Sequence, residues 1–298
     1  MATARVRPEP PLVVIVGPTA SGKTGLAVGI AKEFGGEVIS ADSRAIYKGL
    51  SIGTAKPTKE DKQGVPHWGI DLVIPGERFT AADFKEYAIQ KITEIRMRGR
   101  VPIIAGGTGL YVDAVLYDFE FPAVANDTTR RDELMKWPLE DLTSYCIEHN
   151  IALPENSKNK RHVVNSILRK GQLLKRKYEP TENTIVVGIA TEKEALRQRI
   201  EQRADVIITP CVIAEAARAA KQYGWDNEAM TGNVYPLVRQ HLENDLTLEE
   251  LKQKFITSDW RLAKRQLTWF HRNEHILWLP LDKAYTYLAR ELAAMNNL

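Results

Sequence analysis

Short apolar runs alternate along the chain with longer segments whose apolar positions have helical spacing. Residues 12–16 are continuously apolar and precede a glycine, which is typical of a strand buried on both faces of a parallel sheet. Similar runs lie at residues 37–40, 101–105 and 184–189, and a last one at 275–279. Helical spacing follows at 24–34 and 81–98. This order predicts an α/β fold with a parallel sheet flanked by helices, which the run at 275–279 would close.

The middle of the chain has a different character. From residue 118 to residue 180 the sequence is polar, charged and helix-like, without a convincing strand. We therefore predict a first part of a catalytic core at residues 1–117, a smaller helical insertion domain at 118–180, and a second, mostly helical part of the core at 181–298.

A glycine-rich turn follows the first predicted strand. Residues 17–24 read GPTASGKT and match the P-loop pattern G-x-x-x-x-G-K-[ST] between a strand and a helix. In such a loop the backbone N–H groups and the start of the helix bind phosphates, Lys23 adds a charge and the Thr24 hydroxyl can hold Mg²⁺. The predicted fold is therefore P-loop NTPase-like. The turn alone does not decide between a nucleotide and another diphosphate.

Composition limits how the protein could bind nucleic acid and where in the cell it acts. The net charge is only +3, from 41 Lys and Arg against 38 Asp and Glu, so nucleic-acid binding must rest on local basic clusters. The two cysteines show no zinc or disulfide spacing. The first residues contain no apolar targeting segment, and no stretch approaches the roughly 20 apolar residues that span a bilayer. We expect a cytoplasmic monomer without membrane contact.

Two further segments lie where predicted strands end. Asp42 follows the second strand, at the edge where parallel α/β sheets bind ligands, although Asp42 and Ser43 could instead merely cap a turn. The strand at 101–105 leads into GGTGLY, residues 106–111, in place of the acid that commonly completes a nucleotide-hydrolysing site. This pattern favours an acceptor bound beside the phosphates.

Four ordered motifs carry a family resemblance. GPTASGKT, DSRAIYKGLSIGTAKP (42–57), GGTGLY and LAKRQLTWF (262–270) together resemble the bacterial tRNA dimethylallyltransferase family, also called tRNA isopentenyltransferase. The resemblance implies transfer of a dimethylallyl group from dimethylallyl diphosphate to N6 of an adenosine next to the anticodon of tRNA, with Mg²⁺ as cofactor.

The resemblance also implies roles for individual residues. Asp42 matches the aspartate that accepts a proton from the adenine amine, Thr108 lies near the same reacting centre, and Arg203 contacts the donor diphosphate. Thr24 would hold Mg²⁺. The residues that would bind the donor are Gly17, Pro18, Thr19, Ala20, Ser21, Gly22, Lys23 and Thr24.

The tRNA contacts implied by the resemblance lie in several segments. Asp42 and Thr108 belong to them as well as to the catalytic set. The other predicted tRNA-binding residues are Ser43, Arg44, Ala45, Arg131, Lys160, Arg161 and Arg265. Each basic cluster could instead be a solvated helix face. Trp269 is expected in the core, because aromatic residues at helical spacing usually pack there.

The match departs from the family pattern in two regions. Residues 156–168 contain fewer arginines than relatives do, which puts the RNA contacts of residues 158–166 in doubt. Cys211 and NVYPLV at 233–238 replace usual motif residues near Arg203. Other interpretations stay open: a nucleoside or small-molecule kinase, an adenylate prenyltransferase that uses free AMP or ATP, and a non-catalytic RNA-binding or GTPase-like switch protein.

Overall fold

The computed structural model describes residues 9–122, 128–172 and 174–296. The chain divides into two compact units. The larger contains the chain up to Leu116 and again from Pro180, and the smaller is Tyr117–Glu179.

A parallel sheet lies at the centre of the larger unit. Its strands are β1 (Leu12–Val16), β2 (Gly36–Ala41), β3 (His67–Trp68), β4 (Val101–Gly106), β5 (Thr184–Ile189) and β6 (Leu277–Leu279). They pair in the order β3-β2-β4-β1-β5-β6, with every pair parallel. The predicted α/β class is confirmed, and the apolar run at 275–279 does supply an edge strand.

Helices connect and cover the strands. In the larger unit they are α1 (Lys23–Phe34), α2 (Lys59–Lys62), α3 (Ala81–Met97), α4 (Gly109–Leu116), α8 (Lys193–Ile207), α9 (Pro210–Tyr223), α10 (Tyr235–Leu242), α11 (Leu248–Phe270) and α12 (Leu281–Asn296). The smaller unit contains α5 (Thr128–Lys136), α6 (Leu139–Glu148) and α7 (Lys160–Leu168). In the part of the chain that the structure describes, no helix combines the length and apolar character needed to cross a bilayer.

The start of α3 is set by local chemistry. The Thr80 hydroxyl accepts a hydrogen bond from the Asp83 backbone N–H (3.3 Å), and the Asp83 carboxylate accepts the Thr80 backbone N–H (2.7 Å). This reciprocal pairing satisfies two N–H groups that a helix otherwise leaves without partners. The buried positions of α3, among them Phe84 and Ile95, recur with helical spacing.

Alternate strand residues supply cores on the two faces of the sheet. Val13 and Ile15 of β1 belong to a buried cluster with residues of α1 and α12, such as Ile30 and Leu288. On α3, Phe84 stacks on Tyr111 of α4 with 4.2 Å between the ring centroids. Since both faces are covered, the central strands β1, β4 and β5 are nearly continuous apolar runs, which is why the sequence pattern located them.

Two further cores lie away from the sheet. One joins the segment after β2 to α9, α10 and α11 and includes Ile46, Leu50 and Phe255. The other belongs to the smaller unit, where residues such as Leu142 and Val164 pack α5, α6 and α7 together. Each unit therefore has a hydrophobic core of its own.

The edge strand β3 was not predicted. His67 and Trp68 pair with Val38 and Ile39 of β2. A two-residue strand is too short to show an alternating pattern. It is held in place by Glu37, whose buried carboxylate accepts a hydrogen bond from the Trp68 indole nitrogen (2.7 Å).

Glu37 links this edge to the end of α3. Its carboxylate pairs with the Arg98 guanidinium at 2.8 Å and with that of Arg100 at 3.3 Å. Burial by itself raises the pKa of Glu37, but the hydrogen bonds from Arg98 and Trp68 and the two positive charges outweigh burial and lower the pKa below its ordinary value of 4.5. Folding is therefore favoured by ionisation of this carboxyl.

We expect Glu37→Gln to lower the free energy of unfolding at neutral pH by about 1–2 kcal/mol, a modest cost because both arginines are partly exposed. The lowered pKa stabilises the fold fully above pH 4.5, and this contribution is lost as the pH falls through the folded-state pKa. Urea unfolding over a pH series should show the wild-type advantage shrinking below pH 4.5. The exposed Glu86→Gln is the control. An advantage that stays constant in acid would contradict this assignment.

Candidate active site

A cavity of about 840 Å³ opens at the carboxyl edge of the sheet. Its wall includes residues that follow β1, β2 and β4, which is where parallel α/β sheets bind ligands. Six Lys and Arg side chains lie on the wall against two carboxylates, Asp42 and Asp259. The cavity therefore favours an anionic ligand.

The glycine-rich turn forms one part of this wall. Gly22 adopts φ 93°, a left-handed conformation that favours glycine, and α1 begins at the next residue. Lys23 Nζ donates a hydrogen bond to the Pro18 carbonyl oxygen at 2.5 Å. Burial, and then the nearby charge of Arg203, lower the pKa of Lys23 to about 7, whereas Asp42 raises it. A bound anion would stabilise the charged lysine, as in a phosphate site.

Asp42 and Thr108 meet where β2 and β4 end. The Thr108 N–H donates to the Ala41 carbonyl oxygen (3.1 Å), and the Thr108 hydroxyl oxygen accepts the Ser43 backbone N–H (3.0 Å). Asp42 Oδ1 accepts the Arg44 backbone N–H at 2.8 Å. Within the described residues, Asp42 Oδ2 makes no hydrogen bond. Asp42 thus both caps a turn and presents a carboxylate oxygen on the cavity wall.

The structure brings together most of the predicted site residues. The cavity wall contains Thr19, Ala20, Ser21, Gly22, Lys23, Thr24, Asp42, Ser43, Arg44, Ala45, Thr108, Arg203 and Arg265. Gly17 and Pro18 are not among its residues, and Pro18 acts through its carbonyl oxygen. Ala45 is buried and its carbonyl oxygen accepts the Asp71 backbone N–H (3.0 Å), so this residue offers little surface for its predicted RNA contact.

Three predicted tRNA-binding residues belong to the smaller unit. Arg131 lies on α5 and donates a hydrogen bond to Asn165 Oδ1 on α7 at 2.7 Å. Lys160 and Arg161 begin α7, whose Val164 and Ile167 face the core of this unit. Helix α7 therefore has basic residues at its start and an apolar face that packs into the core of the smaller unit.

Gln266 is a site residue that the sequence pattern did not predict. From α11 its side-chain oxygen accepts the Thr19 backbone N–H (2.7 Å), and its side-chain nitrogen donates to the Gly107 carbonyl oxygen (3.1 Å). A Cβ on Gly107 would overlap that nitrogen, so the second glycine of GGTGLY is needed for this approach. The side chain joins the phosphate-binding turn to the loop after β4.

The prediction that Trp269 lies in the core is wrong. This residue is 38% exposed, and its indole nitrogen donates to Asp113 Oδ2 at 2.8 Å. Helical spacing alone could not reveal this, because the indole N–H hydrogen-bonds to an acceptor at the surface as readily as in the core.

For the diphosphate donor that the family resemblance implies, we expect Gln266→Ala to raise KM by about ten-fold while the protein stays folded. The change removes the acceptor of the Thr19 N–H and the link to Gly107, and one lost hydrogen bond to a partly buried group costs about 1–2 kcal/mol. Steady-state kinetics with varied donor would measure it. Gln253→Ala is the matched control, since Gln253 lies on the same helix and its side chain bonds to exposed Glu249. Equal KM values in the two variants would contradict the role of Gln266.

A buried carboxylate supports another wall of the cavity. Glu215 of α9 accepts the backbone N–H groups of Ser51 (2.8 Å), Ile52 (2.9 Å) and Gly53 (2.9 Å), and also the Tyr235 hydroxyl (2.9 Å). Thr54 and Lys56, which follow in the chain, lie on the wall. No spacing pattern in the sequence singles out Glu215.

The oxygen atoms on the cavity wall suit a metal ion that is also bound by a phosphate ligand. Among the residues described, no group of three or more His, Cys, Asp or Glu forms a metal site. Thr24, however, offers a hydroxyl on the wall beside the phosphate-binding turn. Mg²⁺ commonly takes one or two protein oxygens and completes its shell with substrate phosphates and water, which this arrangement permits.

The fold and the cavity define the class of protein. A parallel sheet with a glycine-rich turn after β1 and a carboxylate after β2 makes this a P-loop-like α/β protein whose cavity places basic side chains next to an acidic group. A family model described as IPP transferase matches residues 45–273. The chain belongs to the IPP transferase family.

Relatives match along nearly the whole chain. A tRNA dimethylallyltransferase of Acetivibrio thermocellus is 37% identical over 289 residues, which cover 91% of this chain and 92% of the relative. The tRNA dimethylallyltransferase of Bacillus subtilis is 32% identical over 306 residues, 95% of this chain and 98% of the relative.

Solved structures share the fold. The tRNA isopentenylpyrophosphate transferase of Bacillus halodurans superposes with a TM-score of 0.73 at 34% identity, over 97% of this chain and 98% of the other. A eukaryotic dimethylallyltransferase acting on tRNA gives a TM-score of 0.74 at 22% identity, over 91% and 73% of the two chains, and this likeness supports the fold alone.

Proposed function

We propose that the protein transfers a dimethylallyl group from dimethylallyl diphosphate to the N6 amine of an adenosine next to the anticodon of tRNA, with release of diphosphate. The observation that carries the proposal is one cavity wall with both the phosphate-binding turn and the Asp42 carboxylate, in a chain of the IPP transferase family. Relatives named tRNA dimethylallyltransferase support the choice of donor and acceptor.

The donor half of the site stabilises the leaving group. The backbone N–H groups of residues 22–24 at the start of α1 would bind the diphosphate, together with the charges of Lys23 and Arg203. As the allylic carbon–oxygen bond breaks, negative charge builds on the departing diphosphate. Donors that are already in place stabilise that charge without reorganisation, so this half supplies most of the rate acceleration.

The acceptor half positions the amine. An adenine N6 lone pair is delocalised into the ring, so the amine attacks well only when it is held against the ionising allylic carbon. Asp42 Oδ2 would accept a hydrogen bond from the amine and take its proton as the nitrogen–carbon bond forms. Thr108 ties the end of β4 to Ser43 and so fixes the turn that carries Asp42.

Thr24 would hold Mg²⁺ together with phosphate oxygens of the donor. The ion, when bound, supplies positive charge that neutralises the departing diphosphate.

The enzyme must also bind the RNA at positions other than the reacting base. An enzyme that modifies a base draws it out of the stack and holds the surrounding loop by phosphate contacts and stacking. Our candidates for these contacts are Arg44 and Arg265 on the cavity wall, with Arg131, Lys160 and Arg161 in the smaller unit.

We expect the protein to act as a cytoplasmic monomer.

A product analysis tests the proposal. The protein is incubated with dimethylallyl diphosphate, Mg²⁺ and an unmodified anticodon stem-loop, and nucleosides are analysed by mass after digestion. We expect one prenyl group on the adenosine beside the anticodon, and none when guanosine replaces it. Parallel reactions with AMP and with ATP in place of RNA should give no prenylated product.

Other outcomes would identify other functions. Prenylation of AMP or ATP but not of RNA would make the protein an adenylate prenyltransferase. Phosphoryl transfer from ATP without prenylation would make it a kinase. RNA binding without either reaction would leave a non-catalytic RNA-binding or switch protein, and each of these results would overturn the proposal.

A further inference from the structure

A second carboxylate lies on the cavity wall, and it is almost fully buried. Asp259 of α11 is 3% exposed. Its Oδ1 accepts a hydrogen bond from Asn233 Nδ2 at 2.9 Å, and its Oδ2 lies 3.4 Å from Arg203 Nε. All three residues belong to the wall. Among the described residues, neither Arg203 Nε nor Asp259 Oδ2 makes a hydrogen bond, so an ion pair is what joins them.

A buried acid at this position is costly for the fold. Removing a carboxylate from water carries a free-energy cost that one ion pair and one hydrogen bond offset only in part. An apolar residue of similar size often packs with equal or better stability. The neighbouring positions on α11, Phe255 and Ala263, are apolar and belong to buried clusters. The acid therefore calls for a role other than packing.

Arg203 and Asp259 lie on α8 and α11, two helices that pack against each other. Leu196 and Ile200 of α8 form a buried cluster with Ala263 of α11, and half-buried Lys252 pairs with exposed Asp205 across the same two helices, away from the cavity. Arg203 is close enough to Lys23 for its charge to lower the pKa of that lysine. Asp259 occupies the Nε edge of the guanidinium, which leaves the two terminal nitrogens for a ligand.

We propose that Asp259, backed by Asn233, is a positioning residue that holds the Arg203 guanidinium by its Nε edge so that its terminal nitrogens bind the diphosphate of the donor. This inference rests on the proposed function of the same cavity. The fork of an arginine binds two phosphate oxygens well only when its plane is fixed, so an anchored guanidinium binds the donor better than a mobile one.

The sign of the effect separates positioning from simple electrostatics. Asp259→Asn removes a negative charge from a cavity that binds an anion, so charge alone predicts tighter binding of pyrophosphate. If Asp259 instead orients Arg203, its loss frees the guanidinium and binding weakens. We expect weaker binding, by about ten-fold, which is the usual scale for the loss of a residue that orients a ligand-binding group.

Titration calorimetry with inorganic pyrophosphate and Mg²⁺ tests the inference. Asp259→Asn should weaken binding and raise KM for the donor, with KM for the RNA unchanged. In an Arg203→Gln background, Asp259→Asn should no longer weaken pyrophosphate binding, because only the charge effect remains. Asp205→Asn is the matched control, because it removes the other carboxylate that pairs α8 with α11. Asn233→Ala, which keeps both charges, should weaken pyrophosphate binding in the same direction and guards against misfolding of the first variant.

Several outcomes would overturn it. Unchanged or tighter pyrophosphate binding in Asp259→Asn shows that Asp259 does not position Arg203, as does an equal loss in the presence and absence of Arg203. Should Asp259→Asn misfold, unchanged binding in Asn233→Ala rules out the positioning role in its place. Failure of the wild-type protein to bind pyrophosphate would instead count against the proposed function itself.

Discussion

Asp42→Asn should lower the turnover of RNA prenylation by roughly two to four powers of ten, the usual contribution of a general base. The amide keeps the size of the carboxylate, and its oxygen can still accept the Arg44 backbone N–H that Asp42 Oδ1 accepts at 2.8 Å. The variant loses the charged oxygen that takes the proton from the amine. Single-turnover rates with saturating donor and RNA measure the effect directly, because product release then plays no part.

Binding measurements accompany these rates. Pyrophosphate and the anticodon stem-loop should bind Asp42→Asn with nearly wild-type affinity, since the phosphate-binding turn and the basic residues are unaltered. Asp205→Asn, at an exposed position of α8, should keep the wild-type rate. Turnover in Asp42→Asn equal to that of the wild type would remove Asp42 from the mechanism.

Glu215→Gln should lower the free energy of unfolding by about 2–4 kcal/mol, the cost of leaving buried polar groups without matched partners. Oε2 of Glu215 accepts two backbone N–H groups, and Oε1 accepts a third together with the Tyr235 hydroxyl. A glutamine puts an NH₂ group at one of these oxygen positions, where it faces donors. Urea unfolding at neutral pH compares the two proteins.

The same variant should also lose activity. Thr54 and Lys56 follow the residues that Glu215 holds, and both lie on the cavity wall, so a displaced loop alters the site as well as the fold. Glu249→Gln, at an exposed position of α11, is the control for stability and for rate. A wild-type urea midpoint in Glu215→Gln would show that the loop is held by other contacts.

Much of the cavity follows from where strands end. A parallel sheet brings the residues after β1, β2 and β4 to one edge, so a phosphate-binding turn, Asp42 and Thr108 become neighbours although they lie far apart in the chain. These strands are buried on both faces and appear as apolar runs, and the chemistry follows them directly. Their positions and the presence of a phosphate site were therefore predictable.

The family motifs identified site residues that the local spacing of residue types does not reveal. Arg203 and Arg265 lie on α8 and α11, and no periodicity sets them apart from the other basic residues of those helices. Their place on the cavity wall depends on helices packing at the sheet edge, which a charge run does not encode. The resemblance supplied what spacing could not.

The sequence by itself determined the strands other than β3, the main helices between them, the phosphate-binding turn and the acid that faces it, because each lies in one continuous segment. Only the tertiary structure decided how Gln266 reaches Thr19, 247 positions away, how Glu215 holds the loop at Ser51, and how Asp259 meets Arg203. These contacts join side chains of packed helices to distant loops. Their partners are chosen by three-dimensional packing, for which a single sequence carries no local signal.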